Sequence, residues 1–215
     1  MTRKNILFDL DGTLLDPREG ITKSIQYALK KLERPVPSID ELTWCIGPPL
    51  LENFKVLFKS DDDALAQEAI ALYRERFADI GIFENEIYEG IPDILETLQK
   101  QGYRLLIATS KPSVFATNIV EHFELAQYFH KVYGSRLNGE LCHKTELLPY
   151  ILEQEHLQKE QTIMIGDRKH DILGAKSCGL RSLGVIYGYG GRKELLEAGA
   201  DFLAECPSEI LDILL

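Results

Sequence analysis

The chain has 215 residues, 45% hydrophobic and 27% charged, with a formal net charge of −10. That length holds one full domain, or one domain with a sizeable insertion, in an ordinary soluble composition. No apolar run approaches the ~18 residues of a membrane span, and the negative charge opposes non-specific binding to nucleic acid or anionic membranes. The opening MTRKN is too short and polar to begin a secretory signal, so the expectation is a cytoplasmic protein that meets small molecules. An anionic substrate then needs a local positive site. Cys45, Cys142, Cys178 and Cys206 are scattered without a paired spacing and read as reduced thiols, and Cys142 with His143 has no further metal-ligand neighbour.

The first element is the apolar NILFDL (5–10), a buried strand that runs into Asp9 and Asp11 and then Gly12-Thr13. After it the pattern turns helical. ITKSIQYALKKLE (21–33) sets Ile21, Ile25, Ala28, Leu29 and Leu32 on one face. Ser38 and Glu41 have capping-box spacing. Pro48 and Pro49 can open a helix through Phe58, and residues 61–80 read as a long amphipathic helix behind cap-forming aspartates. Trp44 and the other aromatics of this stretch read as helical-core packing. The expected insert is all-helical, with no strand between the first one and about residue 90.

Beyond it strands and helices alternate. RLLIAT (104–109), KVYGS (131–135), TIMIGD (162–167) and RSLGVI (181–186) are short and almost continuously apolar, which suits parallel strands covered on both faces. Residues 92–102, 144–156, 169–179 and 207–215 read as helices. Gly102 serves as a C-terminal cap, Pro149 begins or kinks the second, and Ser208 is an N-cap of the last. This is the pattern of a doubly wound α/β domain.

In such a sheet ligands gather beyond the carboxyl ends of the strands. Asp9, Thr109, Ser110 and Asp167 end strands there, and Asp171 follows one helical turn later. Crowded carboxylates repel unless a cation sits among them, and Mg2+ suits one or two carboxylates plus substrate phosphate. Lys111 and Lys144 add positive charge. Taken singly, an Asp-x-Asp-Gly-Thr is also a turn with a side-chain cap, and Asp171 also a helix cap.

FDLDGT (8–13), LLIATSKP (105–112), Lys144 and GDRKHD (166–171) resemble, in order, the four motifs of the haloacid dehalogenase-like phosphohydrolases. The likeness covers essentially the whole chain. It implies a Rossmann-like core (residues 1–15 and 86–215) interrupted by a helical cap (16–85). Asp16–Ile21, Ile46–Leu50 and Gly184–Gly190 look like the phosphoglycolate phosphatase-like or 5′-nucleotidase-like branch. Carried over, the resemblance makes Asp9 the nucleophile and Asp11 the acid and base. Thr13 helps fix the loop. Mg2+ is held by the Asp9 carboxylate, the Asp11 carbonyl and Asp167, with Asp171 nearby. Thr109, Ser110 and Lys111 take phosphate oxygens, and Lys144 pairs with both nucleophile and phosphoryl group.

The implied activity is a Mg2+-dependent phosphomonoesterase on a small phosphorylated metabolite. Phosphoglycolate leads, with nucleoside 5′-monophosphates, pyrophosphate and sugar phosphates as competitors. A phosphomutase, a phospho-acceptor switch and a non-catalytic binding protein are the rival readings. For substrate choice the insert offers Arg18, near a hinge, and Gly47 and Pro48 in CIGPPLLENF (45–54), read as a rigid loop poor in regular structure.

Overall fold

The computed structural model describes residues 4–215, so the first three residues of the amino-terminal reading lie outside it. The principal elements in chain order are β1 (Asn5–Phe8), β2 (Leu15–Asp16), α1 (Arg18–Lys31), a 3-10 helix (Asp40–Cys45), α2 (Leu50–Phe58), α3 (Asp63–Asp79) and β3 (Glu86–Ile87). Then come α4 (Ile91–Lys100), β4 (Arg104–Pro112), α5 (Ser113–His122), β5 (Lys131–Ser135), α6 (Lys144–Gln154) and β6 (Thr162–Gly166). The last are α7 (Lys169–Ser177), β7 (Arg181–Val185), α8 (Gly191–Ala198), β8 (Phe202–Ala204) and α9 (Glu209–Leu214). The chain divides into two compact units. One runs to Asp16 and resumes at Ile87; the other spans Pro17–Glu86. Among the described residues no helix is long and apolar enough to cross a membrane.

The larger unit is built on a six-stranded parallel sheet in the order β5-β4-β1-β6-β7-β8. The near-continuous apolar strands are explained by burial on both faces. Leu7, Leu106, Ala108 and Met164 join Leu147, Leu148 and Ile151 of α6 and Ala175 of α7 in one core. Ile6, Phe8, Ile107 and Ile165 alternate to the other face and are equally buried. Each Leu, Ile, Met or Phe among them contributes roughly 1.5–3 kcal/mol by its burial. The chain moves outward from β1 to β4 and β5, then returns to β6 on the opposite side of β1. The carboxyl end of β1 is therefore the switch point of the sheet, the place where ligands bind in sheets of this kind.

The smaller unit is helical. Ile21, Ile25, Ala28 and Leu29 of α1 are buried, as are Ala66, Ala69, Ile70, Tyr73 and Phe77 of α3, against which α1 packs. Asp62 caps α3 by accepting from the amides of Ala64 and Leu65 at 2.9 and 3.3 Å. Ser38 and Glu41 form the reciprocal capping pair, but the turn they start is 3-10 rather than α.

Several expectations are corrected. Trp44 is 39% exposed rather than core. In a helix of three residues per turn Leu42 and Cys45 share the buried side, which turns Trp44 outward. The stretch 45–54 is only partly irregular, because α2 takes it over from Leu50. Two-residue strands, β2 and β3, interrupt the purely helical interval and form a separate two-stranded sheet. Helix α6 starts five residues ahead of Pro149, which lies inside it. Ser208 occupies the N-cap position of α9 without a capping side-chain bond. β4 runs on to Pro112 through a register shift. The helix α8 and the edge strand β8 had no counterpart in the sequence reading.

Candidate active site

The register of the sheet assembles the site. Phe8 is level with Ile107 of β4 and Ile165 of β6, so Asp9, Thr109 and Asp167 leave the same sheet edge together. The Asp9 amide still donates to the Ile165 carbonyl at 2.8 Å, which fixes where its side chain begins. Immediately afterwards the chain turns, with the Leu14 amide on the Leu10 carbonyl (3.0 Å) and the Gly12 amide on the Leu15 carbonyl (2.8 Å). Gly12 has φ +78°, and a Cβ on it would stand 2.2 Å from Asp167 Oδ2. Only glycine serves both the turn and this approach.

The carboxylates of Asp9, Asp167 and Asp171 are buried, with one oxygen from each lying within 4.8 Å of the others. Lys144, also buried, is placed at the start of α6. Its ammonium lies 3.0 Å from Asp9 Oδ1, is ion-paired with Asp171 Oδ1, and donates to the Ala108 carbonyl at 2.7 Å. Asp171 Oδ2 accepts from the Arg168 amide at 3.1 Å, so Asp171 both closes the first turn of α7 and holds Lys144. Asp167 Oδ2 accepts from the Tyr189 amide at 2.7 Å, while Asp167 Oδ1 is buried with no hydrogen-bond partner among the described residues.

The side chain of Asp11 stands outside this trio. It accepts from Lys111 Nζ at 2.6 Å, so the lysine assigned to phosphate by resemblance is here joined to the second aspartate. Thr109 is buried, its hydroxyl accepting from the Lys111 amide at 3.2 Å, and the Ser110 carbonyl accepts from Ser135 at 2.8 Å. These bonds shape the β4 end, where the register shifts. Thr13 contributes through its carbonyl, which accepts from Tyr187 at 2.8 Å; its buried hydroxyl has no hydrogen-bond partner. Arg18, Gly47 and Pro48 belong to the smaller unit. There Arg18 is ion-paired with Asp40, and Asn53 pins the loop by donating to the carbonyls of Cys45 (2.7 Å) and Pro48 (3.3 Å).

Four buried carboxylates face two ammonium groups, a formal charge of −2. Burial pushes the Asp167 carboxyl well above its ordinary range, and repulsion from Asp171 and Asp9 adds to it. Burial likewise raises Asp11 despite the attraction of Lys111. It raises Asp171 to about 6, against the pull of Lys144. Burial works against the Lys144 charge, but Asp171 and Asp9 outweigh it and hold the ammonium protonated. The excess negative charge, the unpartnered Asp167 oxygen and an all-oxygen donor set fit a hard divalent cation.

The sequence reading gave no role to Arg168, Glu194, Tyr187 or Tyr189. Arg168 is bound by Glu194 (2.9 Å), which also accepts from the Lys169 amide at 2.8 Å and so steadies the start of α7. The only sequence signal for Tyr187 and Tyr189 was their place in the Gly184–Gly190 motif.

Residues 6–185 match the model of the haloacid dehalogenase-like hydrolase family. A 5′-nucleotidase of Pseudomonas aeruginosa is 50% identical over 191 residues, covering 89% of this chain and 86% of that protein. A phosphoglycolate phosphatase of Aliivibrio fischeri is 30% identical over 211 residues, covering 94% of this chain and 92% of that protein. A solved structure described as a predicted phosphatase, from Clostridium acetobutylicum, is 41% identical with a TM-score of 0.97, covering 100% of this chain and 99% of that one.

Proposed function

The chain belongs to the haloacid dehalogenase-like hydrolase family, and from that premise we propose a Mg2+-dependent phosphatase that hydrolyses a small phosphomonoester through an aspartyl-phosphate on Asp9. The observation that carries this reading is the buried trio Asp9, Asp167 and Asp171, with Lys144 beside the first and an oxygen of the second unpartnered. Asp9, Asp167 and the Asp11 carbonyl would hold the cation, with Asp171 behind them. When bound it neutralises the carboxylates and polarises the phosphoryl oxygens.

The remaining chemistry lies with the side chains. An Asp9 oxygen attacks phosphorus, and the phosphorus–oxygen bond to the leaving alcohol breaks. Asp11 gives that alcohol its proton, for which a raised affinity for protons is the needed property. Asp11 then takes a proton from the water that attacks the acyl phosphate. The bond to Asp9 breaks, inorganic phosphate leaves, and both aspartates return to their starting states. Lys144 keeps the nucleophile aimed and offsets charge on the phosphoryl group. Thr109, Ser110 and Lys111 supply contacts to its oxygens.

Nucleoside 5′-monophosphates are the favoured substrates. The relative named for that activity is 50% identical to this chain, against 30% for the phosphoglycolate phosphatase. Phosphate release from both substrate types, with and without Mg2+, tests the proposal on the native protein and on Asp9→Asn. Metal-dependent turnover should fall by about 10^3-fold or more in the variant, the scale of losing a covalent nucleophile. Undiminished turnover in Asp9→Asn sinks the mechanism, and isomerisation without phosphate release replaces it with a mutase.

A further inference from the structure

The segment following β7 takes no part in the chemistry above, yet it is bonded both to the carboxylate cluster and to the loop after β1. The Tyr189 amide donates to Asp167 Oδ2 at 2.7 Å. In the loop after β1, the Thr13 carbonyl accepts from the Tyr187 phenol at 2.8 Å, and Asp16 is hydrogen-bonded to the Tyr189 phenol. Between the two tyrosines lies Gly188, where a Cβ would stand 2.3 Å from Asp167 Cβ and 2.4 Å from the Gly12 carbonyl oxygen. Tyr88 meets Tyr187 edge to face at 5.0 Å.

We propose that Tyr187-Gly188-Tyr189 is a positioning strap for the divalent cation, holding Asp167 with Oδ1 free and clamping the Asp9–Asp16 loop against it. The inference rests on the metal-dependent reading given above. Its physical basis is the bond inventory of Asp167. One oxygen is committed to the strap and the other, buried, has no protein partner, so the strap decides which oxygen faces the cluster. A small hard cation tolerates little error in ligand placement. Groups that orient metal ligands typically govern about 10- to 100-fold of affinity. Glycine at 188 is what lets the strap come this close, since any side chain would displace Asp167 or the Gly12 turn.

The test is calorimetric titration of Mn2+ into the full chain and into Gly188→Ala, the double variant Tyr187→Phe/Tyr189→Phe, and Asp167→Asn, beside thermal unfolding of each in EDTA. The strap predicts Mn2+ binding weakened roughly 10- to 100-fold by Gly188→Ala. The double variant should weaken it by a smaller factor, about 3- to 10-fold, because the backbone bond to Asp167 survives. Binding of native strength in a folded Gly188→Ala, or an unfolding temperature lowered in both variants with the Mn2+ dissociation constant unchanged, makes the segment ordinary scaffolding and overturns the proposal. If Gly188→Ala does not fold, the double variant decides: unchanged affinity there rejects the strap. A native protein that binds Mn2+ no better than Asp167→Asn defeats the metal-dependent reading itself and the strap with it. Native binding that fails only in Asp167→Asn defeats the strap alone.

Discussion

Asp167 pays at folding for what it offers a ligand. It is fully buried, leaves one oxygen unpartnered, and has Asp171 and Asp9 for neighbours. Its carboxyl is raised from an ordinary value of 3.8, so above that pH the folded chain holds a proton that the unfolded chain has released. The contribution of Asp167 to the stability of the metal-free protein therefore falls as pH rises from about 4 through the raised value. Asp167→Asn removes the charge and keeps an acceptor for the Tyr189 amide. It should stabilise the protein in EDTA by about 1–3 kcal/mol near neutrality, the usual cost of a poorly compensated buried polar group. The advantage should shrink toward pH 4. Mg2+ should reverse the order. On the metal-dependent reading proposed above, the ion binds only the folded native chain and adds about 2.7 kcal/mol at a hundred times its dissociation constant, a gain the variant forgoes. Urea unfolding across pH, with EDTA or Mg2+, reads all three effects; a variant less stable than the native chain in EDTA at pH 7.5 would falsify this account.

Among the elements, α6 joins two chemistries. Its first residue, Lys144, serves the carboxylate cluster, and just past its end Glu155 ties down the opposite edge of the sheet. The Glu155 carboxylate is ion-paired with Arg104 at the start of β4, lies 3.2 Å from Lys131 of β5, and accepts from the Tyr133 phenol. Burial pushes its carboxyl up, but Tyr133, Lys131 and Arg104 outweigh it and the net shift is downward. A lowered folded value means stability that is complete above about pH 4.3 and lost as pH falls through the folded value. Glu155→Gln should cost about 1–2 kcal/mol at pH 7, held to the low end because Lys131 is half exposed. The gap should close below pH 4 in urea unfolding, with turnover near pH 7 unaffected. Glu155 also marks the limit of what the sequence alone discloses. The strands were legible because burial on both faces leaves a continuous apolar run, and the acids Asp9, Asp11 and Asp167 were legible because they end such runs. The short β8 and α8 present too few buried residues to stand out; only Leu195 and Ala198 of α8 are buried. Trp44 was misread because its size and apolarity argued for burial, whereas Leu42 and Cys45 take the inward positions of its turn. Contacts such as Tyr187 to Thr13 depend on strand order, which no local pattern carries.

At the scale of the whole molecule, the central strand waits for residues far along the chain. β1 pairs with residues 104–107 on one side and 162–165 on the other. Residues 17–86 lie inside the first of those connections and form a compact unit of their own. The cluster of Leu7, Leu106, Met164, Leu147 and Ile151 comes wholly from the larger unit, and the Tyr88 amide donates to the Leu14 carbonyl at 3.2 Å, so a short linker can replace the excised segment. Shortening the β1-to-β4 connection to about a third lowers its closure entropy by about 1 kcal/mol. A chain with residues 17–86 replaced by a few Gly and Ser should therefore fold cooperatively. It should also still bind Mn2+, because Asp9, Asp167 and Asp171 all belong to the retained unit. Circular dichroism melts and Mn2+ calorimetry check both halves. A molten or aggregated product would mean the larger unit needs the helical one to hold its core, and a folded product that binds no cation would mean the carboxylate cluster depends on residues outside its own unit.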